Sequence, residues 1–90
     1  MIRDSLPGSD WVDQGLDDLA RGVESIPSLL VSVGAPRLRM LGLELAPPFD
    51  TPEHRLYARL AQDSPDAAHS RYNALIRRLV SFERALACAR

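Results

Sequence analysis

The stretch 64–90, SPDAAHSRYNALIRRLVSFERALACAR, constrains the fold more than any other part of the chain. Ala68, Tyr72, Leu75, Leu79, Phe82, Leu86 and Ala89 recur at spacings of four and three, the a and d positions of a heptad seam on one long amphipathic helix. Its start is marked by Ser64 as a cap, by Pro65 at a position whose missing N–H costs nothing, and by Asp66 near the positive end of the helix dipole. A seam of that length must be covered by another helix.

A candidate for that partner lies near the start of the chain. After an arm over residues 1–8, closed by Pro7 and Gly8, Ser9 is placed to cap a second run in which Val12, Leu16, Leu19, Val23, Ile26, Leu30 and Val33 repeat the same spacing. Gly34 and Pro36 close it. Pro27 stands inside this run, so a kink or two abutting helices is expected near residues 24–27, and because the periodicity continues through the proline the pattern favours one long helix kinked near Pro27. Gly15 and Gly22, one heptad apart beside the seam, either let a second backbone approach closely or are tolerated at a surface.

Between the two runs the signals are shorter. Residues 36–49, PRLRMLGLELAPPF, alternate like a strand at Leu41, Leu43 and Leu45, yet Leu38, Leu41 and Leu45 also share one helical face, and a short helix is the expectation. Pro47 and Pro48 end it. Asp50 or Thr51 then caps a helix over 52–62 that opens with Pro52 and offers Leu56, Tyr57, Leu60 and Ala61 as an apolar face. The predicted fold is therefore all-α, a single helical domain over 9–90. Two long antiparallel amphipathic helices are joined by one or two short connecting helices, and association into a dimeric helical bundle follows because 90 residues build only a modest core.

Charge is unevenly distributed. All eleven basic side chains are Arg. Residues 1–35 carry a balance of −4 through Asp4, Asp10, Asp13, Asp17, Asp18 and Glu24 against two Arg, and residues 67–90 a balance of +4. An antiparallel pairing would bring Asp10, Asp13 and Asp17 toward Arg84 and Arg90. Arg71 and Arg78 flank the last seam one heptad apart, and Arg77 and Arg84 repeat that spacing on its outer face. The stripe reads as a solvated face or a docking surface for an acidic partner, or as a track for DNA phosphates, against which stand the acidic first helix and the slightly negative net charge.

No catalytic constellation accompanies it, and the chain reads as a non-enzyme. His54 and His69 have no second ligand at metal spacing, no nucleophile or phosphate-loop motif surrounds the serines, and the lone Cys88 has no resolving partner, so no cofactor or metal is implied. The opening MIRDSLPGSD has neither a basic n-region nor an apolar h-region. The longest apolar stretch, near 26–35, is too short and broken for a membrane span, which points to the cytoplasm.

The apolar sector of the last helix is wider than one seam requires, because Ile76 and Val80 extend it to one side. They face either a second chain or the helix at 52–62 through Leu56, Tyr57 and Leu60. The candidate dimer or partner interface is Tyr72, Leu75, Ile76, Leu79, Val80 and Phe82, and the candidate polar docking residues are Arg71, Arg77, Arg78 and Arg84. In layout over 9–90, and in the Arg71-Tyr72 start of the final apolar-periodic helix, the chain resembles the small bacterial anti-activators of LuxR-type quorum-sensing regulators, the TraM and QslA kind. That resemblance implies a cytoplasmic homodimer that binds a larger transcriptional regulator and keeps it from acting on DNA. The alternative is a small DNA-associated accessory factor using the arginine stripe.

Overall fold

The run 9–33 breaks where a kink is expected. In the computed structural model, which describes residue 6 and residues 8–89, α1 (Ser9–Ala20) stops just before a turn at Gly22, and α2 (Ile26–Val33) begins after the five linking residues 21–25. Gly22 has φ +72°, the left-handed conformation that only glycine takes cheaply, and the Val23 N–H donates to the Asp18 carbonyl at 2.8 Å while the Gly22 N–H donates to that of Leu19. This satisfies the last carbonyls of α1 and turns the chain back. Ser25 then caps α2 in a reciprocal box: its Oγ accepts from the Ser28 N–H, and its own N–H donates to the Ser28 Oγ at 2.7 Å. Pro27 lies in the first turn of α2, where no intrahelical bond is lost, so the long helix kinked near Pro27 is two helices folded against each other.

The hairpin closes on Gly15. A β-carbon there would fall 2.4 Å from the Pro27 carbonyl oxygen and 2.9 Å from the Val31 Cγ1, so α1 crosses α2 at a distance that no other residue permits. Asp18, buried on the same helix, accepts hydrogen bonds from the Gln14 Nε2, the Arg21 guanidinium and the Ser25 hydroxyl at 2.7–2.9 Å. The end of one helix is thereby tied to the cap of the next. Gly22 has nothing within 4 Å of its missing β-carbon, so of the two glycines one serves close approach and the other the turn.

Helix α2 is the hub. α3 (Ala35–Met40) follows it directly, and α1, α4 (Pro52–Asp63) and α5 (Ala68–Ala89) all pack on it. Leu29, Leu30, Val31, Ala35 and Leu38 are wholly buried, as are Val12, Leu56, Leu60 and Phe82 from the surrounding helices. A buried leucine is worth about 1.5–3 kcal/mol, so a short helix buried on all sides can anchor the molecule although it would not form alone. Its serines stay satisfied inside: Ser32 Oγ donates to the Ser28 carbonyl at 2.8 Å and accepts from the Phe49 N–H, which pins the extended segment to the core.

The remaining expectations divide. The helix foreseen over 36–49 covers only Ala35–Met40, and a hydrogen bond from the Leu43 N–H to the Leu38 carbonyl ends it well before Pro47. Leu43, Leu45 and Phe49 then lie half-buried against the core on a segment with no strand pairing. Helix α4 appears where it was foreseen, and Arg55 and Arg59 hold Glu24 of the α1–α2 turn at 3.0 and 3.8 Å. Such exposed pairs contribute about 0–1 kcal/mol. Three foreseen side-chain caps are absent: Gly8, not Ser9, occupies the cap of α1, while Thr51 (φ 44°) and Ser64 make no capping hydrogen bond. A 3-10 turn (Pro65–Ala67) leads into α5, whose 22 residues run about 33 Å by the helical rise, most of the 38 Å length of the molecule.

Helices α1 and α5 are not a principal packing pair, so the two long antiparallel helices become one long helix against shorter ones. The charge pairing foreseen between them changes with it. Asp17 pairs with Arg21 on its own helix at 3.2 Å, Arg84 forms no ion pair among the described residues, and Arg90 lies outside them. Of the arm over 1–8, residues 1–5 and 7 also lie outside, while Leu6 packs on the core.

The crossing at Gly15 makes a prediction whose sign is informative. On an open helix surface Gly15→Ala would stabilise by up to about 1 kcal/mol. Here the added methyl meets backbone, and the variant is expected to lose about 1–3 kcal/mol in urea unfolding.

Candidate functional site

Helix α5 supplies every candidate site residue, and its placement sorts them into three groups. Leu79 and Phe82 are 3% and 0% exposed and belong to the chain's own core. Leu79 reaches the junction of α2 and α3, where a β-carbon on Gly34 would meet its Cδ1 at 2.9 Å. Tyr72, Leu75 and Ile76 are half-buried and rest on the edge of that core. Val80 is also half-buried but stands outside it. The open part of the foreseen interface is thus Tyr72, Leu75, Ile76 and Val80.

Helix α4 covers one end of this flank. The Tyr57 and Tyr72 rings lie 5.7 Å apart at 57°, a tilted arrangement favoured by aromatic quadrupoles. Burial pushes the Tyr72 hydroxyl above its usual range, and the Glu53 carboxylate adds to the shift. The four arginines also separate. Arg71 donates to Asp63 at 2.7 Å across the α4–α5 turn, whereas Arg77, Arg78 and Arg84 are exposed and form no ion pair among the described residues.

A feature that the heptad pattern did not signal lies beside two of those arginines. A cleft of about 330 Å³ opens between the start of α1 and the middle of α5, lined by Gly8, Asp10, Trp11, Arg77, Arg78 and Ser81. Trp11 is placed there because its neighbour Val12 takes the core position, leaving the indole on the flank of the helix. Its Nε1–H is buried and has no hydrogen-bond acceptor among the described residues, a deficit that ordinarily costs about 1–3 kcal/mol. A second depression of about 220 Å³ borders it, where Ile26, Arg71, Ala74, Leu75 and Arg78 meet.

No group of His, Cys, Asp or Glu among the described residues could hold a metal ion. His54 is exposed, His69 meets only Asn73 at 3.2 Å, and Cys88 is an exposed free thiol. No described helix is long and apolar enough to cross a membrane. Comparison of the chain with family models, with curated proteins and with solved structures finds no match.

Among the described residues two carboxylates titrate abnormally, in opposite directions. The Ser25 hydroxyl holds Asp18 below the usual 3.8 of an aspartate; burial opposes this, and Gln14 and Arg21 reinforce it. Burial lifts Glu83, near Gly34, above the usual 4.5 of a glutamate, with Arg37 opposing. A depressed carboxylate contributes stability that is present above its unfolded value and is lost as pH falls through the folded one. A raised carboxylate does the reverse, adding stability as pH falls toward its unfolded value. Urea midpoints should therefore rise as pH drops from neutrality toward about 4.5, then fall once Asp18 protonates. Glu83→Gln should abolish the rise, and Asp18→Asn should lower stability at neutral pH and weaken the acid loss.

Proposed function

We propose that the chain is a non-enzymatic protein-interaction module that pairs with a second copy through the open flank of α5 and masks a surface on a larger partner. The observation that carries this reading is the contrast within one helix. Leu79 and Phe82 complete the core, while Ile76 on its edge and Val80 outside it continue the apolar surface and stay half-buried. A two-fold axis across this flank would bring Ile76 and Val80 of both chains together and remove them from water.

Arg77, Arg78 and Arg84 border the flank with no ion-pair partner among the described residues and favour an acidic surface on the larger protein. A transcriptional regulator held away from DNA by a cytoplasmic anti-activator is the form of this function that the resemblance to LuxR-directed inhibitors suggests. The DNA-associated alternative retains three of its four arginines, since Asp63 engages Arg71. It requires binding to duplex DNA whose log affinity falls with log salt at a slope of about −2.7 for three phosphates.

Analytical ultracentrifugation with circular dichroism tests the pairing. Wild type is expected to sediment as a dimer at micromolar concentration. Val80→Glu should become monomeric with its helical signal kept, and Leu79→Glu should lose the fold because an unpaired carboxylate enters the core. A monodisperse wild-type monomer would remove the homodimer from this account.

A further inference from the structure

We propose that the cleft between the start of α1 and the middle of α5 is a recognition pocket for one carboxylate side chain of a partner polypeptide. The inference rests on the interaction-module reading and names the chemistry that such a partner must present. Its warrant is the imbalance of hydrogen-bonding groups at the cleft. Arg77 and Arg78 bring two guanidinium forks with no carboxylate partner among the described residues, and the Trp11 ring walls the cleft with its indole N–H buried against Gly8. Against these donors, Asp10 is the one carboxylate lining the cleft among the described residues, and it forms no ion pair with either arginine.

An occupant must therefore bring acceptors, and the charge decides which kind. The two guanidinium groups and one carboxylate that line the cleft among the described residues leave one net positive charge, which a single carboxylate neutralises. A phosphomonoester, carrying about −1.5 to −2 at neutral pH, would be left partly uncompensated and would face the Asp10 carboxylate. Guanidinium forks suit carboxylate oxygens in paired, planar geometry, and the Ser81 hydroxyl can donate a further bond. Size points the same way. The volume of about 330 Å³ sits at the lower end for small-ligand clefts, room for a side chain with its flanking backbone along the indole wall.

Trp11 is the chain's single tryptophan, so its indole N–H gives one nuclear-resonance cross-peak that reports on this cleft. Isotope-labelled protein would be titrated with two pools of capped hexapeptides, randomised except for a central Glu in one and a central Gln in the other. The Glu pool is expected to shift the indole peak and the Arg77 and Arg78 side-chain peaks, with the Gln pool at least about ten-fold weaker for loss of a charge-assisted bond. The double variant Arg77→Gln/Arg78→Gln should keep the wild-type backbone spectrum and lose the response, and Asp10→Asn should strengthen it. Equal response to both pools, no response at millimolar peptide, response surviving in the double variant, or tighter binding of inorganic phosphate than of the Glu pool would each overturn the pocket. Sedimentation of the same sample separates the two readings. A dimer that ignores the Glu pool removes the pocket alone, and a monomer that responds to it removes the homodimer alone.

Discussion

The missing β-carbon of Gly15 is the constraint on which the fold depends. It allows α1 to lie on the backbone of Pro27, and that contact converts a heptad pattern of 25 residues into a hairpin. Once α1 is folded back, α2 is enclosed on that side, and α4 and α5 cover what remains. Polar groups secure the same joint. Asp18 joins the end of α1 to Ser25, Ser25 caps α2 together with Ser28, and Ser32 fastens the chain at Phe49. A short helix with two buried serines becomes the centre of the molecule because each hydroxyl finds a backbone or carboxylate partner.

Helix α5, helix α4 and the all-helical class were legible because their signals are local: unbroken periodicity, prolines at first turns and few competing turn residues. The hairpin was not. Spacings of three and four continue from Val12 through Val33 because two separate helices each place a stripe on the core, and the five linking residues happen to preserve the phase. Val23, read as a seam residue, is 42% exposed in the turn. The distinguishing signals were chemical and not periodic. Gly22 followed by apolar Val23 suits a helix stop, and Ser25-Ile26-Pro27-Ser28 suits a helix start. A proline marks a kink or a first turn with equal ease, and only the residues around it decide between them.

At the candidate site the arginines and the apolar flank were legible, and the division of labour among them was not. Which of Tyr72, Leu75, Ile76, Leu79, Val80 and Phe82 closes the core depends on where α2 and α4 sit, and helical spacing carries no information about that. Trp11 carries no periodic signal, because it lies off the seam, one position before a core valine. The cleft it shares with Arg77 and Arg78 exists only once the hairpin brings the start of α1 beside α5. The same turn that broke the expected helix therefore built the most distinctive surface on the chain.

The hairpin itself can be tested through one contact. In a continuous helix Gly15 and Val31 would be about 24 Å apart by the rise per residue, beyond the reach of any nuclear Overhauser effect. In the structure described, the two residues touch. A cross-peak between the Gly15 α-protons and a Val31 methyl group is the predicted result. Its absence, together with sequential helical effects running unbroken through residues 21–25, would contradict the hairpin and with it the placement of every helix packed on α2.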